Sequence, residues 1–266
     1  MTKARGRVLA IAGSDSGGGA GIQADIKTIT ALGGYAASAV TAVTVQDTLG
    51  VHGVHPIPPD VIGAQIRAVL ADIGADAIKT GMLGDAAAIE AVLGALGDFP
   101  RIPLVVDPVM AAKDGTSLLA DEALAALKRL IARADLVTPN APEAEALTGI
   151  AVAVTDDLRK AGEALLSAGA RAVLMKGGHI PGDSVIDLLM TPNGETMFEG
   201  RRIETRHTHG TGCTLASACA TGLAQGLPLD QAVGRAWAYV AEAIRGAPGF
   251  GAGAGPLDHA WPVRGR

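Results

Sequence analysis

Short apolar runs alternate along the chain with longer segments in which apolar residues recur at helical spacing. The runs predicted as strands are 7–12, 35–45, 51–56, 77–79, 103–106, 136–138 and 172–176. The segments predicted as helices are 22–32, 59–73, 86–96, 120–132, 141–147, 158–167 and 214–244. Buried strands that alternate with helices predict an α/β protein with a mostly parallel sheet covered on both faces.

The turn Pro192-Asn193-Gly194 interrupts this alternation, because strand-like segments 185–190 and 195–202 flank it directly. An Asn-Gly pair between two such segments is typical of a β-hairpin. We therefore expect antiparallel strands at one edge of the sheet. No shift in composition marks a linker and no internal repeat is evident, so residues 1–266 are predicted to form one domain.

Composition narrows the class of protein. Hydrophobic residues make up 48% of the chain but aromatic residues only 3%, so the core must consist of Ala, Val, Leu and Ile. A net charge of -5 argues against nucleic-acid binding, which depends on cationic contacts to phosphates. The sequence has no signal peptide and no apolar run of membrane-spanning length, so we expect a cytoplasmic protein that does not bind membranes. Cys213 and Cys219 match no CxxC spacing and are predicted to share one helix, without a disulfide.

Polar residues follow six of the apolar runs, at the points where the predicted strands end. These residues are Ser14-Asp15, Gln46-Asp47, Lys79-Thr80-Gly81, Asp107-Pro108, Thr138-Pro139-Asn140 and Lys176-Gly177-Gly178. Any one of them alone would be explained as a helix cap or a turn former. Because ligands of parallel sheets bind beyond the carboxyl ends of the strands, six such segments together predict a binding site there.

The segment Gly210-Thr211-Gly212-Cys213 joins a glycine-containing turn to the beginning of a small-residue helix. The first backbone N–H groups of a helix have no intrahelical partner, and the helix dipole makes that end positive. Glycines let the backbone approach a ligand closely. We interpret this segment as an anion-binding turn with a reactive thiol beside it.

Several other chemistries fit less well. The segment Gly19 to Ala24 satisfies a loose GxGxxA pattern, but the acidic residue expected after the second strand of a dinucleotide-binding fold is not clearly placed. Neither a P-loop motif nor the GxSxG elbow of α/β-hydrolases occurs.

Phosphoryl transfer, which depends mainly on charge neutralisation and positioning, fits better. Asp107 and Glu143 would hold Mg²⁺ directly or through water, and Lys176 would contact the nucleotide phosphates.

Eight motifs in combination carry a resemblance to a known family. They are residues 11–15, 18–25, 44–48, 79–83, 106–110, 138–143, 176–179 and 209–214, spread over roughly residues 7–260. In these motifs the chain resembles the ribokinase-like superfamily and, within it, the hydroxymethylpyrimidine/phosphomethylpyrimidine kinases of thiamine biosynthesis. The resemblance implies a ribokinase-like three-layer αβα sandwich. It also implies a bifunctional kinase that uses ATP and Mg²⁺ to phosphorylate 4-amino-5-hydroxymethyl-2-methylpyrimidine and then its monophosphate.

The resemblance assigns residues to the substrate. Gln46 would bind the aminopyrimidine edge, because its amide offers both a donor and an acceptor. Asp25, on the polar side of the first helix, would orient the substrate's polar groups. Gly13 would lie against the substrate. Met82 and Val109 would form apolar walls for the flat ring, a role compatible with a place in the core.

The remaining assignments concern ATP and the transferred phosphoryl group. The residues assigned to ATP are Asn140, Glu143, Lys176 and Thr211, those assigned to Mg²⁺ are Asp107 and Glu143, and those assigned to catalysis are Cys213, Lys176, Gly210, Thr211 and Gly212. Cys213 lies at a helix N-terminus, so we expect it to have more thiolate character than a free cysteine. We predict that it accepts the hydroxymethyl proton in the first phosphorylation only, since the second acts on an ionised phosphate.

Two segments depart from the family pattern. His207 stands where the family usually has Asn, and Ser16-Gly17 stands where Pro-Ser is common. His207 and His209 form an HxH pair, but two imidazoles without a third ligand are weak grounds for a metal site.

Alternative functions remain open at this point. A pyridoxal kinase of the same superfamily would act on a related heterocycle, although Gln46 and Met82 favour the aminopyrimidine. A non-catalytic binding protein is a rival of another class, against which Asp107, Glu143 and Lys176 argue together with Cys213. A dinucleotide-dependent oxidoreductase is the third. The family tends toward dimers, so we expect a homodimer.

Overall fold

The computed structural model describes residues 6–112 and 114–264; residues 1–5, 113 and 265–266 of the predicted domain lie outside that description. Its strands are β1 (Arg7–Asp15), β2 (Tyr35–Gln46), β3 (Val51–Pro56), β4 (Ala77–Thr80), β5 (Leu104–Val106), β6 (Leu136–Val137), β7 (Val173–Lys176), β8 (Ser184–Thr191) and β9 (Gly194–Arg201). They form one sheet in the order β3-β2-β1-β4-β5-β6-β7-β8-β9. The predicted α/β class is confirmed.

Pairing is parallel from β2 through β1, β4, β5 and β6 to β7. The predicted hairpin is confirmed, since β8 pairs antiparallel with β9 and also with β7. The sequence analysis did not anticipate that β3 pairs antiparallel with β2 at the other edge. Only residues 47–50 connect these two strands, which is too short for the crossover that a parallel pair requires.

The helices are α1 (Gly21–Ala31), α2 (Pro59–Asp72), α3 (Ala86–Gly97), α4 (Leu124–Ile131), α5 (Ala141–Thr148), α6 (Thr155–Ser167), α7 (Thr211–Ala224) and α8 (Leu229–Arg245). Side chains of α2 to α6 pack with the sheet in one apolar cluster, and side chains of α1, α7 and α8 pack with it in a second. The sheet is therefore the middle of three layers, as the family resemblance implied.

The helical region predicted at 214–244 contains two helices, α7 and α8. Between them Gly226 has a φ of +79°, a left-handed conformation that ends a helix and that glycine adopts at low cost. Pro228 follows and precedes the first residue of α8. The polypeptide therefore turns back, and α8 packs against α7 beside the sheet.

Capping residues explain where two other helices begin. The Asp85 side chain accepts a hydrogen bond from the Ala88 N–H at the start of α3. Asn140 and Glu143 form a reciprocal capping box at the start of α5. None of the helices described here has the length and apolarity of a membrane-spanning segment. Because the central strands are parallel, their carboxyl ends lie along the same end of the sheet, and this brings the predicted polar residues together.

Candidate active site

A cavity of about 770 Å³ lies beyond the carboxyl ends of the central strands. Gln46, at the end of β2, and the turn from Gly210 to Cys213 both line it. The two features on which the functional interpretation depends therefore face one space. Of the predicted site residues, the cavity wall contains Gly13, Gln46, Met82, Asp107, Val109, Asn140, Glu143, Lys176, Gly210, Thr211, Gly212 and Cys213.

The turn before α7 is built for close backbone approach. Gly210 caps the helix with a φ of +83°, and a Cβ atom there would collide with the backbone carbonyl of Gly19. The Thr211 hydroxyl donates to the Thr208 carbonyl at 2.8 Å, which fixes the turn. The first N–H groups of α7 thus point toward the cavity with the positive end of the helix dipole behind them.

Lys176 and Asp107 lie beside this turn. Lys176 Nζ is 3.2 Å from Asp107 Oδ1 and 3.9 Å from Glu143 Oε2. Burial lowers the pKa of Lys176, but the charges of Asp107 and Glu143 outweigh it and raise the pKa above 10.5. A Cβ atom on Gly212 would lie 3.1 Å from Lys176 Nζ. The ammonium group therefore lies directly against the anion-binding turn.

Glu143 has a structural role as well as a place in the cavity wall. Its Oε2 accepts the Asn140 N–H at 2.8 Å, and Asn140 Oδ1 accepts the Glu143 N–H at 2.9 Å. Burial raises the pKa of Glu143 to about 7, against the opposing effect of Lys176. Both side chains predicted to contact ATP or metal are therefore held rigidly at the N-terminus of α5.

The donor set beside the turn fits Mg²⁺. No group of three or more His, Cys, Asp or Glu side chains suited to a metal occurs within residues 6–112 and 114–264. Mg²⁺ commonly binds to only one or two carboxylates and completes its shell with water and substrate phosphates. Asp107 and Glu143, next to a turn suited to phosphate, meet that requirement.

The substrate end of the cavity combines an amide with apolar walls. Gln46 Oε1 lies 3.0 Å from Thr44 Oγ1, at the end of β2. Met82 is buried, and a Cβ atom on Gly13 would lie 3.2 Å from the Met82 methyl carbon. Val109 lines the same space. Gly13 therefore packs closely against Met82, and a larger residue at position 13 would push against the methionine side chain.

Asp25 does not occupy the predicted position. We expected it on the polar side of α1 facing the substrate, but its side chain is completely buried and lies outside the cavity wall. Asp25 Oδ1 is 2.9 Å from Lys79 Nζ and accepts a 2.6 Å hydrogen bond from Ser217. The prediction was wrong because Lys79 of β4 and Ser217 of α7 meet this face of α1, which only tertiary packing decides.

The expected thiolate character of Cys213 is also contradicted. Cys213 lies in the first turn of α7, but burial raises its pKa to about 12. The charge of Lys79 acts in the opposite direction, while Asp107 and Asp25 add to the increase. Desolvation therefore outweighs the charge of Lys79, and the raised pKa favours the neutral thiol.

Sequence reasoning missed two parts of the site. The HxH pattern predicts no role for His209, yet its Nε2 lies 2.8 Å from Asp15 Oδ2 in the cavity wall. The His207 ring instead accepts a hydrogen bond from the Gly255 N–H. The apolar wall formed by Trp237, Val240 and Ile244 of α8 was not anticipated either. No local motif distinguishes that face of α8, and only the docking of α8 reveals it.

The geometry can be compared with known proteins. The model of the family Phosphomethylpyrimidine kinase matches residues 15–258. The hydroxymethylpyrimidine/phosphomethylpyrimidine kinase of Bacillus subtilis is 49% identical over 255 residues, covering 95% of this chain and 94% of that protein. The thiamine biosynthesis bifunctional protein ThiED of Geobacter sulfurreducens is 50% identical over 256 residues. That match covers 96% of this chain but 52% of that protein, so the chain spans about half its length.

Solved structures agree with the fold. The pyridoxal kinase of Staphylococcus aureus in complex with AMP-PCP and pyridoxal superposes with a TM-score of 0.90 and 35% sequence identity, covering 98% of this chain and 96% of that one. Membership in one family is supported by the match of the family model over residues 15–258 and by the sequence identity to a relative that is covered almost completely. The chain belongs to the phosphomethylpyrimidine kinase family, within the ribokinase-like fold.

Proposed function

We propose that this chain is an ATP-dependent kinase that phosphorylates 4-amino-5-hydroxymethyl-2-methylpyrimidine and then its monophosphate in thiamine biosynthesis. The observation that carries the proposal is the single cavity in which Gln46 and the Gly210–Cys213 turn both lie. An amide at one end suits an aminopyrimidine edge, and the N-terminus of α7 suits a phosphoryl group. Membership in the family supports the same substrates.

The residues at and beside the Gly210–Cys213 turn, here called the phosphate end of the cavity, would neutralise the charge of the ATP phosphates. Lys176 and the N–H groups of α7 would hold the γ-phosphoryl group, with Thr211 at the mouth of the turn and Asn140 on the nucleotide side. Asp107 and Glu143 would hold Mg²⁺, which when bound would offset the charge of the phosphates. These groups are in place before the substrate binds, so little reorganisation is needed during transfer.

The base of the nucleotide would lie against α8. Trp237, Val240 and Ile244 of α8 form an apolar part of the cavity wall. Flat aromatic rings gain from burial against such side chains, whereas phosphates do not. We therefore place the adenine beside α8, phosphoryl transfer at the Gly210–Cys213 turn and the pyrimidine beside Gln46.

Cys213 is placed to act on the hydroxymethyl group. In the first phosphorylation the substrate oxygen attacks the γ-phosphorus as its proton passes to the thiolate form of Cys213 and ADP leaves. Because burial raises the pKa of Cys213 to about 12, only a minor fraction is thiolate at neutral pH, and the Lys79 charge increases that fraction. The second phosphorylation acts on an ionised phosphate oxygen and needs no such acceptor.

Phosphorylation of pyridoxal is a second candidate activity. It is favoured by the close superposition with a pyridoxal kinase that holds AMP-PCP and pyridoxal. Pyridoxal also carries a hydroxymethyl group on a flat nitrogen heterocycle. Its ring lacks the exocyclic amine beside a ring nitrogen, so Gln46 would bind it with one hydrogen bond fewer.

We further propose that residues 1–266 form one kinase domain and that two copies associate as a homodimer. One sheet contains strands from Arg7 to Arg201, which supports a single domain. Val43, Val45 and Val54 are exposed on the β2–β3 edge and offer apolar surface for a second copy. Sedimentation at two concentrations would show the dimer.

The deciding test is ATP consumption with hydroxymethylpyrimidine, its monophosphate and pyridoxal under one set of conditions. We expect both pyrimidines to be phosphorylated and pyridoxal to be the poorer substrate. Gln46→Leu should reduce ATP consumption with the two pyrimidines by more than about a hundredfold, since the polar edge of the pyrimidine ring would have no hydrogen-bonding partner. Chelation of Mg²⁺ should stop all three reactions. Turnover of neither pyrimidine by the unaltered protein would overturn the proposal.

A further inference from the structure

Gln46 has two fixed polar neighbours, Thr44 and His209, beside it in the cavity wall. Thr44 Oγ1 lies 3.0 Å from one terminal atom of its amide, placed as Oε1, and His209 Nε2 lies 3.5 Å from the other, placed as Nε2. An amide oxygen and nitrogen are alike in shape, so their hydrogen-bonding partners decide which is which. The protons on Thr44 and His209 therefore determine how Gln46 is oriented.

His209 is itself held firmly. Its Nε2 is 2.8 Å from Asp15 Oδ2, which also accepts the N–H groups of Gly19 at 3.0 Å and Ala20 at 2.8 Å. Burial would raise the pKa of Asp15, but the hydrogen bonds from His209 and the backbone outweigh it and lower the pKa below 3.8. Asp15 is thus an anion, and an anion requires a donor from its neighbour. His209 Nε2 therefore carries a hydrogen and cannot accept one from Gln46.

The Thr44 hydroxyl supplies the second constraint. It has one hydrogen but two possible acceptors 3.0 Å away, the Ser14 carbonyl oxygen and the nearer terminal atom of the Gln46 amide. If that atom is oxygen, one hydrogen must serve two acceptors, and the Gln46 NH₂ group lies 3.5 Å from a His209 Nε2 that has no lone pair to accept from it. If the amide is turned over, Gln46 donates to Thr44, Thr44 donates to Ser14, and the Gln46 oxygen faces the N–H of His209. Only this second arrangement gives each hydrogen an acceptor.

We propose that the Asp15–His209 pair and Thr44 lock the Gln46 amide in this one orientation and that the lock selects 4-amino over 4-oxo pyrimidines. Resting on the proposed function, the inference concerns the specificity of the same site. The locked amide offers an acceptor on the His209 side and a donor on the Thr44 side. An aminopyrimidine presents the matching amine and ring nitrogen, whereas a 4-oxo pyrimidine presents an acceptor and an N–H in the reverse order. His209 and Thr44 act through Gln46, so they are positioning residues.

The test measures equilibrium binding without ATP, so that it does not depend on turnover. The ligands are 4-amino-5-hydroxymethyl-2-methylpyrimidine and its 4-oxo analogue, titrated calorimetrically into the full chain. We expect the unaltered protein to prefer the amino compound by at least about a hundredfold. His209→Phe keeps a ring but removes the N–H, and Asp15 Oδ2 retains its two backbone donors. Thr44→Val keeps the shape of the side chain and removes the hydroxyl.

Each variant should reduce the preference at least about tenfold, because the amide can then turn over to suit either ligand. His207→Phe is the matched control; it lies outside the cavity wall and should keep the full preference. Thr44→Val decides the matter if His209→Phe fails to fold. If His209 and Thr44 only pack against Gln46, the variants would weaken the binding of both ligands equally. An unchanged ratio of the two affinities in the variants therefore overturns the lock. If the unaltered protein binds both ligands equally, the lock fails but the proposed function stands; if it binds neither, both fail.

Discussion

The Lys79 ammonium group lies 2.9 and 3.0 Å from the two carboxylate oxygens of Asp25, and neither side chain is exposed. Asp25 Oδ1 also accepts a hydrogen bond from Ser217, one helical turn below Cys213 in α7. This pair connects β4, α1 and α7 directly beneath the phosphate end of the cavity. A buried ion pair seldom adds to stability over an apolar pair, but breaking it leaves an uncompensated charge.

Removal of either charge should therefore be more damaging than removal of both. Lys79→Met and Asp25→Asn should each reduce the free energy of unfolding by about 3–5 kcal/mol. The double variant should lose less than the sum of the two, because no unpaired charge remains. Urea denaturation of the four proteins gives the coupling energy directly. Additive losses would mean that the two charges do not stabilise each other.

Cys213→Ala should separate the two phosphorylations. The first step should slow by about 10²–10⁴-fold, the range for loss of a general base, while the second should change little. Single-turnover assays with hydroxymethylpyrimidine and with its monophosphate measure the two steps. Cys219→Ala is the control, since Cys219 is completely buried in α7 away from the cavity wall and should leave both rates intact. Equal losses in both steps would leave Cys213 a positioning role only.

Gly212→Ala should obstruct the anion-binding turn without unfolding the protein. The added Cβ would lie 3.1 Å from Lys176 Nζ and 3.6 Å from Asp107 Oδ2, in the space assigned to the phosphoryl group. We expect kcat/KM for ATP to fall by about a hundredfold, comparable to the loss of one oxyanion contact. Gly94→Ala in α3 is the control, because no atom lies within 4 Å of the added Cβ. Full activity in the Gly212 variant would place the phosphates elsewhere.

Asp187 should make stability depend on pH in a defined window. Burial raises its pKa from 3.8 to about 6, although the Gly177 N–H donates to it at 2.8 Å. The folded state thus holds the proton more tightly, so the free energy of unfolding should decrease as pH rises from about 4 to about 6. Relative to Asp187→Asn, the decrease should reach about 3 kcal/mol.

Denaturant unfolding of both proteins at several pH values measures this difference. Asp98→Asn, at an exposed position, should show the same pH dependence as the unaltered protein. A stability that increased through this window relative to the Asn variant would contradict the assigned direction of the pKa shift.

The alternation of apolar runs and helical segments predicted a sheet covered by helices on both faces, because the length of an apolar run and helical periodicity are local properties of the sequence. The polar residues at the strand ends were also predictable, since parallel strands bring their carboxyl ends together. Gln46 and Lys176 end two of these strands, and they line one cavity together with Gly212 at the start of α7.

Tertiary packing decided what local pattern could not express. Asp25 has the spacing of a surface residue, and only the approach of Lys79 and Ser217 from distant elements made burial of its charge possible. The raised pKa of Cys213 likewise comes from desolvation by its neighbours, which outweighs the opposing charge of Lys79. Burial and charge pairing are sums over residues far apart in the chain, so they become known only when the chain is folded.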